Sequence, residues 1–465
     1  MLTRRNFHSG LVSLAFGSLA LAGCARLRQL PDLVQRVPGF GTKGMRIPLY
    51  GPLAPSPHCP LIDLPAGFEC RVVSACGQRM ADGEAVPDNA DSMGCFVLDS
   101  SHVALVRNHE ISDPKLGGTT TIFYDYKTGT TRKQFRSLGG TMTNCAGGAT
   151  PWGAWLSCEE EDLHPRHGYV YEVPALAEGP TVRRPLRQLG RFNHEAAAVD
   201  PATGNIYMTE DQIDGLLYRF VPRSRDDSLG EGQLQALVLD PGEPPVDVRN
   251  WSGRGWKVGD TLKVHWVPLE GFERPLDDPR KRAHKALKAL RFACGEGIHF
   301  GHDELYFTCT SGGRIKSGQI MRYTPDRSDE GRGSLQLFVE STEEHDLNFV
   351  DNLIVAPNGH IITCEDPYFG GEKNYLLREA AALLGMSPAP CYLRGVTPEG
   401  QVYDLARLRG GSELAGICFS PGGEVMFVNI YSPATTLAIR GEWKPAMAAG
   451  WGPYEAQAVG RAALP

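Results

Sequence analysis

Long apolar runs and long helical patterns are both scarce in this sequence. The uncharged apolar stretch at residues 11–22 is too short to span a bilayer as a retained helix, and no other segment is apolar enough to do so. Glycine and proline are abundant instead, with 54 and 34 copies. This composition is typical of a turn-rich, all-β protein.

Basic clusters are also scarce, and the formal net charge is −7. The one basic run, residues 280–288 (RKRAHKALK), is better explained as the solvated face of a helix than as a binding surface. The sequence therefore argues against a nucleic-acid partner.

Several catalytic signatures are missing. The chain has no G-x-S-x-G nucleophile elbow, no phosphate-binding Walker loop, no dinucleotide fingerprint and no H-E-x-x-H helix. These absences argue against a serine hydrolase of that type, a P-loop enzyme, a dinucleotide-dependent enzyme and a helix-based zinc protease.

One short sequence motif occurs six times along the chain. It consists of an acidic or polar residue, an apolar strand, a turn and a second strand that usually ends on an acid. The copies are residues 92–110, 143–160, 194–211, 296–310, 351–366 and 413–429. Repeats of about 50 residues with several short strands are typical of β-propellers, in which each repeat forms one blade. We therefore predict an all-β, six-bladed β-propeller.

Acids at equivalent strand ends would converge on the central axis of such a propeller. Closely spaced carboxylates repel one another unless cations lie between them. A single acid is more simply explained as a solvated loop charge, but six acids at equivalent places make that explanation poor. The repeat therefore predicts a metal cluster at the channel mouth.

The spacing of the units predicts the domain organisation. Residues 24–60 are rich in proline and glycine and fit a tether, with a first strand near Leu61. The propeller is expected over residues 61–450, followed by a C-terminal tail at 451–465. A longer interval between the third and fourth blades predicts an inserted segment with a helix around residues 277–293, because apolar residues recur there at near-helical spacing.

The N-terminus indicates export. Arg4 and Arg5 precede the apolar stretch, which ends in a Leu-Ala-Gly-Cys sequence at Cys24. This pattern predicts a twin-arginine signal at residues 1–23, a transient interaction with the twin-arginine translocase, and lipidation of Cys24. We expect a periplasmic or outer-membrane-anchored lipoprotein that touches the membrane only through its lipid. A soluble exported protein cleaved at another position is the alternative.

The chain has twelve cysteines, and removing Cys24 leaves an odd number in a compartment that permits disulfides. At least one thiol is therefore free or otherwise engaged. Several of the cysteines, such as Cys158, Cys309, Cys364 and Cys418, lie in apolar strands, where a small buried side chain explains them. Cys145 differs, because it lies in the glycine-rich string TNCAGG at residues 143–148. Composition alone leaves both a metal ligand and a buried thiol open at this position.

Several of these motifs together resemble the PhoX-type alkaline phosphatases. They are TNCAGGATPWGAWLSCEE at residues 143–160, GRFNHE at 190–195, NHE at 108–110, RRNF at 4–7 and ELAGICFSPGGEVMFVN at 413–429. The resemblance spans nearly the whole chain. It implies a six-bladed propeller that hydrolyses small phosphate esters outside the cytoplasm, with iron and calcium as cofactors and one cysteine among the metal ligands.

Carried over residue by residue, the resemblance makes Cys145 the thiolate ligand of iron and Glu195 a bridging carboxylate. Hard carboxylate oxygens suit calcium and ferric iron, whereas a thiolate among them suits iron. The predicted catalytic residues are Cys145, Glu195 and Glu296. The predicted metal ligands are Glu110, Cys145, Glu159, Glu160, Glu195, Asp211, Glu296, Glu365 and Glu413. Asn108 and Arg191 are the predicted substrate-binding residues, and which acid of each adjacent pair is the ligand stays open.

One departure from the family pattern lies before the fourth blade. Relatives carry an arginine two residues ahead of the acidic ligand, where this chain has Cys294 ahead of Glu296. A cysteine lacks the guanidinium that would hold phosphate in two hydrogen bonds. We therefore expect weak catalysis on simple phosphomonoesters, unless Arg107, Arg191 or Arg314 takes over this role.

The sequence thus favours a metal-dependent phosphatase. Two alternatives remain: a calcium-dependent lactonase or esterase on the same propeller, and a non-catalytic, metal-stabilised lipoprotein that binds a partner.

Overall fold

The computed structural model describes residues 46–253, 255–271, 279–301, 303–343, 346–366 and 390–443. The strands of the first half are β1 Leu53–Ser56, β2 Cys59–Pro65, β3 Glu69–Ala75, β4 Ala90–Val97, β5 His102–His109, β6 Gly118–Asp125, β7 Thr130–Gly139, β8 Asn144–Ala149, β9 Ala154–Glu159, β10 Val170–Pro174, β11 His194–Val199, β12 Ile206–Glu210 and β13 Tyr218–Pro222. Those of the second half are β14 Gly232–Leu239, β15 Thr261–Pro268, β16 Gly295–Gly301, β17 Glu304–Cys309, β18 Gln319–Pro325, β19 Arg332–Glu340, β20 Val350–Val355, β21 Ile361–Glu365, β22 Tyr392–Val396, β23 Val402–Leu408, β24 Leu414–Phe419, β25 Val425–Ile430 and β26 Thr435–Arg440.

Helical structure is limited to short turns in the described residues. They are three 3₁₀ turns, Arg187–Leu189, Arg225–Asp227 and Pro421–Gly423, the helix α1 Pro279–Arg282, and a π-helical turn Ala283–Leu287 that continues it. The helix expected around residues 277–293 is thus present as a short element that ends at Lys288, where φ is +62°. No helix in the described part of the chain is long and apolar enough to cross a membrane.

The strands form antiparallel sheets built around six consecutive strand pairs. The sheet orders are β4-β5-β6-β7, β8-β9-β10, β24-β25-β26-β3, β1-β2-β23-β22-β21-β20 and β11-β12-β13-β14-β15-β19-β18-β17-β16. The first strands of the six pairs, β4, β8, β11, β16, β20 and β24, contact one another in that order, and β24 contacts β4. The all-β, propeller-like fold is therefore confirmed.

The third and fourth units share the nine-stranded sheet, because β15 pairs with β14 on one side and with β19 on the other. The predicted count of six blades therefore stays a prediction. The first described strand, β1, begins at Leu53, earlier than the position near Leu61 that the composition suggested.

The core lies between neighbouring sheets, and β5 illustrates why. Val103 and Leu105 point to one side of this strand and join the cluster shared with Phe427 of β25. Ala104 and Val106 point to the other side and join the cluster of Trp155. Since alternate residues of a strand face opposite sides, a strand that is apolar on both faces must be covered on both. Stacking the sheets side by side provides that cover.

Candidate functional site

Each of the six strand pairs is interrupted at the same place. The pairing register shifts between Ala90 and Met93 and at the corresponding points of β8, β11, β16, β20 and β24. The first residue inside each irregularity is, in order, Asp91, Cys145, Glu195, Glu296, Asp351 and Gly416. A bulge bends its strand and redirects a side chain, so five potential metal ligands occur at equivalent positions of the ring.

The second strands supply a further set. In each pair, the residue just before the irregularity pairs with the last or next-to-last residue of the partner strand. These residues are Ala90, Asn144, His194, Gly295, Val350 and Ala415. The residues that follow those partners are Glu110, Glu160, Asp211, Thr310, Asp366 and Ile430. Four of the six positions are acidic. At a fifth, the Thr310 hydroxyl donates to Glu296 Oε1 at 3.2 Å.

Six carboxylates and one thiol converge in three overlapping groups. The groups are Asp91–Glu110–Cys145, Cys145–Glu160–Glu195 and Glu195–Glu296–Asp351, and within each the potential ligand atoms lie within 4.8 Å of one another. The Cys145 sulfur lies 3.1 Å from Glu195 Oε1 and 3.5 Å from Asp91 Oδ2. All seven residues are buried. Cys145 and Glu195 each belong to two groups and so connect the three.

The glycines beside Cys145 let its strand approach both neighbours. A Cβ on Gly148 would lie 2.0 Å from the carbonyl oxygen of Ala197 in β11, and one on Gly147 would lie 2.0 Å from that of Leu156 in β9. The string at residues 143–148 is therefore glycine-rich because the backbone, and not a side chain, fills this space. This close approach holds Cys145 beside Glu195.

The sixth equivalent position carries no ligand. Gly416 has φ of +60°, and a Cβ there would lie 2.5 Å from the carbonyl oxygen of Asp91. Its amide donates to Asn352 Oδ1, whose amide group donates to Asp351 Oδ1 at 3.0 Å. The last unit thus contributes backbone contacts that support Asp91 and Asp351, and the donor ring is asymmetric.

A buried cluster of this kind fits cations. Carboxylates within a few ångströms of one another in a buried setting repel strongly unless they are protonated or neutralised. The chemistry of the donors suits more than one metal: the two groups with Cys145 offer a thiolate among oxygens, and Glu195–Glu296–Asp351 offers oxygen alone.

Adjacent acids in a strand end diverge, as the alternation of side chains predicts. Glu160 joins the donor groups, whereas Glu159 points away from them. Glu159 accepts hydrogen bonds from the amides of Met142, Gly168 and Tyr169 and from the Tyr171 hydroxyl, and its Oε1 lies 2.6 Å from His167 Nδ1. These contacts tie the strand end to the next strand.

Glu365 and Glu210 occupy the position of Glu159 in their own units. Glu365 accepts from the amides of Asn348 and Tyr392 and from Arg394 Nε at 2.7 Å. Burial raises the pKa of the Glu365 carboxyl, and the Arg394 guanidinium partly opposes that shift. Glu210 accepts from the Leu216 amide and from the Tyr218 hydroxyl.

Of the predicted ligands, the structure brings together Glu110, Cys145, Glu160, Glu195 and Glu296, and it leaves four outside the three groups of described residues. Glu159 and Glu365 make the contacts above. Asp211 is buried, and its backbone oxygen accepts from Asn193 Nδ2. Glu413 is buried just ahead of β24, and its backbone oxygen accepts from the Tyr431 amide. Metal binding by these four stays a prediction.

The predicted substrate-binding residues contact protein groups. Asn108 Nδ2 donates to the carbonyls of Cys145 and Ala146, and its Oδ1 accepts from Trp155 and Ser157. Arg191 Nη2 donates to the carbonyls of Asp162 and His164. Asn108 therefore holds the strand of Cys145 in place, and a role for either residue in binding substrate stays a prediction.

Sequence reasoning missed Asp91 and Asp351. Asp91 stands one residue before the point where the first repeat was drawn, and Asp351 opens the fifth repeat without having been selected as a ligand. Aligning the repeats on Cys145 and Glu195 would have placed both aspartates in the same column. The sequence therefore contained the information needed to find both aspartates, but using it required knowing where the bulge lies in each strand.

Family comparison agrees with this geometry. The model of the alkaline phosphatase PhoX family matches residues 48–121 and 114–434. The chain belongs to the PhoX family. This membership supports a phosphatase, and it places the seven converging residues inside the matched region.

Among solved structures, the PhoX fold is shared with Pseudomonas fluorescens PhoX in complex with vanadate, a transition state analogue. That structure has a TM-score of 0.67 and 19% sequence identity, over 85% of this chain and 98% of the other. A gluconolactonase from Xanthomonas campestris matches with a TM-score of 0.37 and 12% identity, over 83% of this chain and 97% of that one. No curated protein matches the chain.

Cys294, at the departure from the PhoX pattern, lies two residues before Glu296 and is buried. The φ angle of Cys294 is +55°. Three other residues that lie two positions before a donor also have a positive φ: Asn89 before Asp91 (+52°), Thr143 before Cys145 (+44°) and Phe349 before Asp351 (+53°). The same left-handed turn therefore leads into four of the inner strands, and Cys294 occupies one of these turns.

The adjacent pair Glu159 and Glu160 gives a direct test of the ligand assignment. Glu160→Gln should reduce the bound metal, because it removes a charge from the donor groups. Glu159→Gln should retain the metal and lower the free energy of unfolding by about 1–3 kcal/mol, because a buried acceptor of several hydrogen bonds is weakened. Metal analysis and thermal unfolding of both variants measure this. Equal metal loss in the two would contradict the assignment.

Proposed function

We propose that this PhoX-family chain is an exported phosphatase that hydrolyses phosphate monoesters with an iron and calcium cluster. The observation that supports it most is the continuous run of donors from Asp91 to Asp351, connected through Cys145 and Glu195. When bound, the metals would supply Lewis-acid stabilisation of the charge that develops on the phosphoryl group.

The donors suggest how the metals are distributed. Cys145 would hold iron together with Asp91 and Glu110 on one side and with Glu160 and Glu195 on the other. The all-oxygen group Glu195–Glu296–Asp351 suits calcium. Glu195 belongs to both kinds of group and would help to hold both metals.

The surrounding residues hold these side chains in place. Asn108 fixes the strand of Cys145 through two carbonyls, and Asn352 connects the Asp351 carboxylate to the Gly416 amide. His109 and His194 lie next to site acids but are hydrogen-bonded to the protein: His109 Nδ1 is 2.9 Å from the Asp88 carbonyl and His194 Nε2 is 3.2 Å from that of Gly190. Burial holds the pKa of both imidazoles well below the usual value. We assign them a structural role.

Export and anchoring belong to the same proposal. The twin-arginine signal, the translocase interaction and lipidation of Cys24 concern residues outside the described part of the chain and rest on the N-terminal sequence alone. A periplasmic or outer-membrane-anchored location would place the enzyme beside extracellular phosphate esters. Fractionation of a Cys24→Ala variant and of a variant with Arg4 and Arg5 replaced by lysine tests anchoring and export separately.

Removal of the metals should abolish hydrolysis of p-nitrophenyl phosphate. We expect chelation of calcium to lower the rate by at least tenfold and readdition of calcium to restore it. Without its cations, the cluster of carboxylates repels the negative charge of the phosphoryl group instead of stabilising it. The same preparations are assayed on a lactone panel and analysed for iron and calcium. Calcium-dependent lactone hydrolysis without phosphatase activity would favour the lactonase, and bound metal without either activity would favour a binding protein.

A further inference from the structure

The sheet β24-β25-β26-β3 joins the two ends of the folded chain, because its first three strands are the last described strands and β3 comes from the N-terminal part. One face of this sheet packs against the first unit, since Ala438 of β26 shares an apolar cluster with Tyr124 of β6. A pocket of about 230 Å³ lies where the two meet, and we call it the side pocket. None of its residues belongs to the three donor groups. It is lined by Glu69, Arg71, Tyr124, Lys127, Gly129, Ala438 and Arg440.

The strand register places three charged side chains on one face of this sheet. Arg71 of β3 pairs with Ala438 of β26, and Glu69 pairs with Arg440. Paired residues of an antiparallel sheet point to the same side, and so do residues two apart in one strand. Arg71, Glu69 and Arg440 therefore project toward the first unit, on the same side as Ala438. The short side chain of Ala438 leaves space between them.

The hairpin of β6 and β7 forms the opposite wall of the side pocket. Gly129 lies in its turn with φ of +78°. A Cβ at this position would lie 2.7 Å from Arg71 Nη1 and 3.6 Å from the Tyr124 hydroxyl oxygen. The guanidinium and the hydroxyl therefore approach the same point, and a side chain in place of Gly129 would occupy the space between them. Glycine keeps the side pocket open.

Both guanidiniums reach the turn of this hairpin but meet no acid there. Arg71 Nη1 donates to the Thr128 carbonyl at 3.5 Å, and Arg440 Nη2 donates to the Tyr126 carbonyl. Among the residues that the structure describes, no carboxylate lies within ion-pair distance of Arg71, Arg440 or Lys127. The carbonyl dipoles orient the guanidiniums without neutralising their charge.

The side pocket carries an excess of positive charge. Its three cations face one acid, Glu69, so two positive charges are left uncompensated. Asp125 lies in the same hairpin but accepts hydrogen bonds from the amides of Lys127 and Thr128, and its Oδ2 lies 3.5 Å from His102 Nε2. Like charges that share one pocket repel unless an anion lies between them. The side pocket therefore suits a doubly charged anion.

A buried hydroxyl faces the same space. Tyr124 is only 2% exposed, and within the described part of the chain its hydroxyl has no hydrogen-bond partner. Burial raises the pKa of Tyr124, so the hydroxyl keeps its proton at neutral pH. A buried donor without an acceptor lowers the stability of the fold. An anion oxygen in the side pocket would accept a hydrogen bond from it.

We propose that the side pocket binds inorganic phosphate as the hydrogenphosphate dianion. Guanidinium groups bind phosphate oxygens through paired, charge-assisted hydrogen bonds, and an ammonium group adds a point charge. Glu69 selects among oxyanions, because hydrogenphosphate has a proton to donate to a carboxylate, whereas sulfate and the dianion of a phosphate ester have none. This inference concerns a second site, and it holds whether or not the metal cluster hydrolyses phosphate esters.

Calorimetric titration with inorganic phosphate tests the site on the full chain with its metals, at mildly alkaline pH and constant ionic strength. Arg440→Gln should weaken binding at one site per chain by at least about tenfold, because it removes a charge-assisted contact. Arg223→Gln is the matched control, since it removes the same charge from an exposed residue outside the side pocket. Both variants should keep the metal content and the kcat/KM of the unaltered chain. Equal phosphate binding in the two variants would overturn the proposal.

Glu69→Gln tests the choice of anion. The titrations are repeated with sulfate and with glycerol phosphate in chains that also carry Glu195→Gln, so that the ester is not hydrolysed at the metal cluster. With Glu69 present, phosphate should bind at least about tenfold more tightly than either comparison anion, and Glu69→Gln should reduce that preference to less than about threefold. Equal binding of either comparison anion before the substitution, or a preference that the substitution leaves unchanged, would overturn the assignment. If Arg440→Gln does not fold, Lys127→Gln removes another cation of the same pocket.

Discussion

Replacing Glu195 with glutamine should lower kcat/KM on p-nitrophenyl phosphate by about a thousandfold or more. Glu195 belongs to two of the three donor groups, and its Oε1 lies 3.1 Å from the Cys145 sulfur. Glutamine keeps the size of the side chain but removes its charge and one anionic ligand oxygen. The loss should therefore appear in metal content as well as in rate, and both are measured on the same preparation.

Glu210→Gln is the matched control for Glu195→Gln. Glu210 lies in the same unit and is equally buried, but it accepts from Tyr218 and Leu216 and lies 3.4 Å from Arg280 Nε. We expect it to retain metal and most activity. Cys145→Ala extends the comparison, because it should release iron while the sheets stay folded. Full metal occupancy and an unchanged rate in Glu195→Gln would contradict the proposed cluster.

The fold was largely predictable because its pattern is local. Short apolar runs and turn signals identified the repeated strand pairs, and β5 shows how a strand that is apolar on both faces must be covered on both. The joining of the third and fourth units by β15 was not predictable in the same way. Its pairing with β14 and β19 depends on contacts between distant segments, which the periodicity of either segment does not record.

The sequence predicted that acids at equivalent positions of the repeats form the site, but it did not predict which acid of each adjacent pair is the ligand. Cys145, Glu195 and Glu296 stood out by motif. The choice between Glu159 and Glu160 depends on His167 and Tyr171, which reach Glu159 from a neighbouring loop and strand.

Restoring the family's arginine by Cys294→Arg should raise kcat/KM on p-nitrophenyl phosphate by up to about a hundredfold. A guanidinium that donates two charge-assisted hydrogen bonds at a desolvated site contributes a few kcal/mol, and about 2.7 kcal/mol corresponds to a hundredfold in rate. Cys294 already has φ of +55°, so arginine, which is unbranched at Cβ, adds little backbone strain. The metal content should stay unchanged.

Cys294→Ser is the control, because it alters the thiol without adding a guanidinium and should give no gain. If the unaltered enzyme is already fast and Cys294→Arg slows it, an arginine at another position holds the phosphate. Arg107 and Arg191 donate to Thr436 and to the carbonyls of Asp162 and His164. Arg280 would then be the first arginine to replace, because it lies near Cys294. It forms ion pairs with Glu210 and Asp214. These two acids flank Gln212 in the sequence, and the Gln212 carbonyl accepts a hydrogen bond from the Cys294 amide. In that case Arg280→Gln should lower kcat/KM without releasing metal.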